Sequence, residues 1–207
     1  LKVVEDAAQA VGVKFNGRHC GTLGDIGMIS FYGNKTITTA EGAIILTESD
    51  ALAESVYRLK NHGRKEKGVF IHEQIGFNFS FNDILAAIGV AQMKKFGKIS
   101  TRKNGLRKLY EENLRGVVDF TFVDDRVEPV HWFANILVPD AEKLSAFLKE
   151  KGIGTRRFFY PLHMQPCYNN LKQSGSFPNS EYAYKCGLSL PSSVTLKDGQ
   201  VLEVCKA

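Results

Sequence analysis

Glu5, Asp6, Gln9, Ser30 and Lys35 are side chains whose types could share one reaction. They fall at the ends of apolar, β-like runs, "KVVED" and "GMISFYG", and α/β sheets gather ligands at the carboxyl ends of their strands. A carboxylate there can hold a protonated ring nitrogen. A hydroxyl beside a turn amide can hold a phosphate. A lysine amine can form a Schiff base with a carbonyl. Together these are the demands of pyridoxal 5'-phosphate. Each residue also has a plainer reading when taken alone. Lys35 would be a solvated loop charge, and Asp6 a turn cap or an ion-pair partner.

The elements that must position these residues come from hydrophobic periodicity. "KVVED" reads as a short buried strand, "AAQAVG" as a turn or short helix, and residues 28–32 as a second strand. "AIILT" (43–47) reads as a buried strand of parallel-sheet type. "SDALAESVYRLKNHG" predicts a helix capped by Ser49 or Asp50, with Leu52, Val56 and Leu59 on one face and Gly63 as its stop. "SFNDILAAIGVAQMKKFGKI" predicts a longer helix capped by Ser80 or Asn82, with Ile84, Ala87, Ile88, Ala91 and Met93 on its face. A further helical stretch covers 101–116. The pattern then becomes β-β-α-β-α. "VVDFTFV" and "EPVHWFANILVP" read as strands, and "DAEKLSAFLKEKGI" as a helix capped by Asp140. "GTRRFFYPL" reads as a strand, "SEYAYKCGLSLP" as a helix running into a turn, and "LKDGQVLEVCKA" as a last helix. The boundary is placed near 113–117, giving domains 1–115 and 116–207.

Composition narrows the function classes. The chain has 207 residues, 43% hydrophobic and 24% charged, which is ordinary globular composition. Its net charge of +5 is scattered over Arg58, Lys60, Arg64, Lys65, Lys67, Lys94, Lys95, Lys98, Arg156 and Arg157. No basic run carries interleaved stacking aromatics, so nucleic acid is not the expected partner. An anionic small substrate fits better. The four cysteines form no CxxC pair and point to reduced thiols rather than zinc or a disulfide framework. No run has membrane-spanning length and no signal peptide is present, so a cytoplasmic protein is expected. The chain opens inside an apolar run without an initiator Met, which predicts a truncated start.

Several blocks, in order, resemble one family. "VVEDAAQAVG…LGDIGMISFYGNKTITTAEGA" followed by "IGFNFSFNDILAAIGVAQM" is similar to the DegT/StrS-type sugar aminotransferases, fold-type I pyridoxal-phosphate enzymes. The resemblance runs along the whole chain. It implies an α/β fold: a fold-type I large domain with a mostly parallel sheet, incomplete at its N-terminus, plus a small α+β C-terminal domain. It further implies that Asp6 holds the pyridinium nitrogen and that Gln9 lies near the ring and its phenolic oxygen. Ser30 would donate to the phosphate, and Lys35 would form the Schiff base and shuttle protons. Asn78 would reach the phosphate of a neighbouring subunit's cofactor, within a homodimer that shares its active sites. Glu41 and Gly42 resemble the turn that returns the chain to the sheet. In "IGTRRFFYPLHMQPCY", Tyr160 and His163 would contact the sugar nucleotide. Arg64 would meet a substrate phosphate or the carboxylate of glutamate, although a solvated loop charge is as good a reading.

The implied reaction is transfer of an amino group from glutamate to a nucleotide-linked keto sugar. "VHWFANILV" and "RRFFYPLHMQP" most resemble the perosamine-type branch, which makes a 4-amino-4,6-dideoxy sugar from a GDP-linked 4-keto-6-deoxymannose. Two departures stand out. The family often has an arginine two residues after the asparagine, where this chain has Ser80. Its members are also nearly twice this length, and the absent front would carry a phosphate-binding helix start and the aromatic that stacks on the ring. Two alternatives remain open: a catalytically inactive fragment with a structural or dimerising role, and a sugar dehydratase. Dehydratase relatives replace the lysine with histidine, so Lys35 speaks against that branch.

Overall fold

The computed structural model describes residues 1–66, 68–170 and 175–207; Lys67 of the basic run lies outside them. In chain order the elements are β1 (Val4–Asp6), β2 (Lys14–Phe15), β3 (Arg18–His19), β4 (Ile26–Ser30), β5 (Ala43–Leu46), α1 (Asp50–Lys60), α2 (Asp83–Met93), α3 (Phe96–Leu114), β6 (Asp119–Phe120), β7 (Val127–Glu128), β8 (Ala134–Leu137), α4 (Ala141–Glu150), β9 (Arg156–Arg157), α5 (Pro178–Cys186), β10 (Gly187–Leu190) and α6 (Asp198–Lys206). They form two compact units. Unit 1 is Leu1–Ser100 with Asp124–Val130, and unit 2 is Thr101–Val123 with His131–Ala207. The division therefore falls earlier than 113–117. Leu106, Tyr110 and Leu114 of α3 belong to the core of unit 2, so most of that helix goes with the C-terminal unit.

In unit 1, β1 and β4 lie parallel with Asp6 opposite Met28, while β5 returns antiparallel to β4. Gly27 permits the packing beneath β4, because a Cβ there would come within 2.1 Å of the Gly21 carbonyl oxygen. A second small sheet has the order β3-β2-β7. Its hairpin turns at Asn16 and Gly17, with φ of 48° and 75°, the left-handed pair that a two-residue turn requires. β7 was expected among the strands of the small domain. Instead it pairs with β2, and the Arg126 guanidinium lies 4.7 Å from the centre of the Phe15 ring.

Two other expectations fail in unit 1. The sheets are not mostly parallel: among the described residues β1–β4 is the one parallel strand pair. The run "AIIL" is apolar on both faces, as in a buried parallel strand, yet it follows a turn that sends it back beside β4. Ile44 and Ile45 remain exposed. The caps are where the sequence puts them, with Ser49 and Asn82 accepting from the Leu52 and Leu85 amides. The apolar faces behind the caps are not covered. Neither α1 nor α2 contains a buried residue, and Ile84, Ile88 and Met93 are exposed.

Unit 2 holds the main core. Its antiparallel sheet has the order β6-β8-β10-β9, and every residue of β10 is buried. "GLSL" was read as a turn after a helix, but it is the strand that β8 and β9 flank. Leu188 and Val201 are fully buried against Tyr110 and Ile136. Each such aliphatic side chain contributes about 2 kcal/mol. Asp140 caps α4 by accepting from the Lys143 amide. Two buried cations are tied to backbone carbonyls. Arg107 donates to the Asn135 and Thr121 carbonyls and pairs with Glu111 at 2.6 Å. Lys103 Nζ donates to the Trp132 and Ser192 carbonyls, both at 2.8 Å.

Burial pulls the Lys103 ammonium down to a pKa of about 8. The unfolded chain holds that proton up to about 10.4. Between these values the unfolded state binds more protons, so raising the pH relieves a penalty and stabilises the fold. Relative to Lys103→Met, the wild type should gain about 1 kcal/mol between pH 7 and pH 9. Urea unfolding followed by Trp132 fluorescence measures this. Parallel pH profiles for the two proteins would contradict it.

Candidate functional site

Unit 1 places two of the expected residues at the joined ends of one strand pair and two in the turns that follow those strands. Asp6 ends β1 and Ser30 ends β4, so the parallel pair delivers a carboxylate and a hydroxyl at the same end. The Ser30 amide donates to the Ala8 carbonyl at 3.4 Å, which fastens the Asp6–Gln9 turn to the end of β4. Asp6 Oδ1 accepts from the Ala8 amide at 3.1 Å, and the side chains of Asp6 and Gln9 are exposed. Ser30 Oγ accepts from the Tyr32 amide at 3.2 Å, which leaves its own proton to donate. Lys35 follows in a turn closed by its amide on the Tyr32 carbonyl at 2.9 Å, and its side chain is half-buried.

The loop after Lys35 is held by its threonines. Thr38 Oγ1 donates to the Phe31 carbonyl and accepts from the Ala40 amide, while Thr39 Oγ1 donates to the Glu41 carbonyl at 2.6 Å. This closure keeps Ala40 in the left-handed region, with φ of 68°. Glu41 and Gly42 then lead into β5, and the Phe31 amide donates to the Gly42 carbonyl at 2.8 Å.

Glu5 has a structural task that sequence spacing did not reveal. Its carboxylate accepts from the amides of Gly21, Leu23 and Gly24 and so gathers the loop ahead of β4. Burial pushes its pKa up, but the three amides and the nearby Arg18 outweigh that, and the carboxyl stays below its ordinary value. The glycine-rich run "GTLG" was the available signal, since tight loops offer unpaired amides to an acid.

The other expected residues lie elsewhere. Asn78 forms an antiparallel bridge with Asn61 and lines a cleft of about 670 Å³ whose walls include Gly42, Ile45, Leu59 and Phe81. Arg64 donates to Asn61 Oδ1 at 3.0 Å and stacks on Phe70, so Asn61 links Arg64 to Asn78. Tyr160 and His163 belong to unit 2. The Tyr160 ring meets Tyr184 edge-on at 5.1 Å. His163 Nε2 lies 3.0 Å from Glu181, and its ring packs on Phe177.

The donor set of unit 1 fits pyridoxal phosphate: an exposed carboxylate and a hydroxyl with a proton to donate at the ends of one parallel strand pair, and a half-buried lysine in the turn after it. Among the described residues no group of three His, Cys, Asp or Glu is placed to hold a metal, and no helix is long and apolar enough to cross a membrane.

Comparison with known proteins settles the family. Residues 1–207 match the DegT/DnrJ/EryC1/StrS aminotransferase family. The chain belongs to that family. Among family members, GDP-perosamine synthase of Vibrio cholerae is 34% identical over 211 residues, which cover 99% of this chain and 58% of that one. The enzyme of the same name from Escherichia coli O157:H7 is 35% identical, covering 100% and 57%. In structure, S. venezuelae DesV superposes with a TM-score of 0.92 at 28% identity, covering 100% of this chain and 56% of that one. The chain thus spans a little over half the length of the family members it matches.

Glu5→Ala should cost unit 1 about 1–3 kcal/mol, because three amides lose a charged acceptor. Amide hydrogen exchange at Gly21, Leu23 and Gly24 should accelerate in the variant. Unchanged exchange there would show that the carboxylate does not hold the loop.

Proposed function

We propose that this chain is the lysine-bearing part of a pyridoxal-phosphate-dependent sugar-nucleotide aminotransferase. It would move an amino group from glutamate to a nucleotide-linked keto sugar. The similarity to two GDP-perosamine synthases supports a perosamine-type 4-amino-4,6-dideoxy product from a GDP-linked 4-keto-6-deoxymannose. The observation that carries the proposal is the parallel pairing that ends β1 on Asp6 and β4 on Ser30 at the same side, with Lys35 in the turn that follows β4.

When bound, pyridoxal phosphate supplies an electron-accepting ring that acidifies the carbon bearing the amino group. The chain's own residues do the rest. The Asp6 carboxylate keeps the ring nitrogen protonated by ion pairing. Ser30 Oγ would donate to the phosphate, while the Tyr32 amide donates to its lone pair and fixes its direction. Gln9 sits on the turn that the Ala8–Ser30 bond fastens and would serve the ring's phenolic oxygen. Lys35 would supply the amine that takes the cofactor's carbonyl carbon with loss of water, and once released would hold and return the proton that moves during amino transfer. Half-burial of its stem limits competing water. Asn78 is assigned to the cofactor phosphate of a second subunit in a homodimer. Arg64, Tyr160 and His163 are assigned to substrate, with Asn61 and Glu181 as the groups from which Arg64 and His163 would be recruited.

A second reading is favoured by the uncovered apolar face of unit 1, where Ile84, Ile88 and Met93 are exposed. On that reading the chain is catalytically inert and acts by association. Mixing the protein with pyridoxal phosphate separates the two. The wild type should develop a visible absorption band that Lys35→Ala lacks, and Asp6→Asn should weaken cofactor binding roughly tenfold. Added glutamate should then release 2-oxoglutarate in the wild type alone. A band without that release would favour a dehydratase, and no band in either protein would leave only the inert reading.

A further inference from the structure

Two consecutive arginines on β9 have opposite surroundings. Arg157 is partnered within unit 2 at its terminal nitrogens. Its guanidinium faces Glu142 at 3.4 Å, donates to the Tyr184 carbonyl at 2.7 Å and lies over the Tyr184 ring. Arg156 points to the other face, as alternation along a strand requires. No carboxylate or carbonyl among the described residues pairs with it. Three aromatic rings surround it instead, with centroid distances of 5.6 Å to Trp132, 5.5 Å to Phe133 and 4.6 Å to Phe159.

The cage is built rather than incidental. Arg156 is fixed by the register of β9 against Ser189 of β10. The Trp132 and Phe133 rings contact each other at 4.3 Å. Lys103 Nζ holds the Trp132 carbonyl from beneath and lies 5.9 Å from the Phe133 ring. Arg156 is only half-buried, and none of its nitrogens is among the buried atoms that lack a partner, whereas Arg157 Nε is. Its N–H groups therefore open outward. Aromatic faces attract a guanidinium without using its donors, so the planar fork stays pre-organised for a bidentate acceptor.

We propose that Arg156, set among the Trp132, Phe133 and Phe159 rings, is an anion-recognition site on unit 2 that takes a carboxylate or phosphate of the substrate through its guanidinium edge. The identity of that anion rests on the proposed function. The amino donor brings a dicarboxylate and the sugar nucleotide brings a diphosphate. A lysine here would keep the charge and lose the fork, so specificity comes from planar geometry as well as attraction.

Trp132 is the chain's single tryptophan and a wall of the cage, so its fluorescence reports occupancy directly. Glutarate and inorganic pyrophosphate are titrated separately into the wild type, Arg156→Gln and Arg156→Lys, with circular dichroism confirming that each is folded. One of the two anions should give a saturable change in Trp132 emission. Arg156→Gln should weaken that binding roughly tenfold or more, and Arg156→Lys should fall between. Preference for glutarate identifies the donor's carboxylates, and preference for pyrophosphate identifies the nucleotide's phosphates. Absence of saturation with both anions at millimolar concentration overturns the proposal, as does equal affinity in folded Arg156→Gln. The result is separable from the cofactor experiment. A Lys35-dependent visible band with no anion response removes Arg156 alone, and an anion response without the band removes the aminotransferase reading while leaving an anion site.

Discussion

The parallel pairing of β1 with β4 is the constraint on which the candidate site depends. Parallel strands end on the same side of a sheet, so the residues that close them share a neighbourhood even though 24 positions separate Asp6 from Ser30 in the chain. The Ala8–Ser30 backbone bond then locks the turn after β1 to the end of β4, and Lys35 follows five residues later in a turn closed on the Tyr32 carbonyl. Antiparallel pairing of the same strands would send the acid and the hydroxyl to opposite edges. Glu5 supports this arrangement from the preceding loop, because a carboxylate collecting three amides fixes the path by which the chain enters β4.

The two units carry different kinds of order. Unit 2 is a closed hydrophobic assembly. β10 is buried throughout, α3 contributes Leu106, Tyr110 and Leu114, and its buried cations are tied down by backbone carbonyls. Unit 1 is held mainly by backbone and carboxylate hydrogen bonds around the strand ends, while the apolar faces of α1 and α2 remain uncovered. That contrast matters chemically. A site made of strand ends and tight turns leaves polar side chains free to meet a ligand. A site set into a packed sheet, as Arg156 is on β9, gains a fixed direction.

What was legible in the sequence was local. Ser49, Asn82 and Asp140 announced three helix starts, because a short polar side chain before an apolar period has few other uses. The strand ends at Asp6 and Ser30 were also legible, whereas the roles of these residues and of Lys35 came from the family resemblance. The rest depended on distant partners. Nothing within "RVEPV" says that Val127 and Glu128 leave the strands that follow them and pair with Phe15 and Lys14 in unit 1. Four residues of "GLSL" are too few to show a period, and the helix before them masked a buried strand. "AIIL" reads as buried, yet its burial depends on what lies against the sheet. The Asn16–Gly17 turn was a local signal left unused. The cage around Arg156 joins residues 132, 133, 156 and 159 through sheet register, which no spacing rule reports.

The central claim is that the strand-end cluster of unit 1 directs one lysine to the cofactor. Borohydride reduction of the protein mixed with pyridoxal phosphate, followed by peptide mass mapping, tests this most directly. The account predicts a pyridoxyl label concentrated on the peptide containing Lys35 and lost from it when Asp6 and Ser30 are both replaced by alanine. A label spread over the exposed lysines, or a Lys35 label indifferent to those replacements, would contradict it.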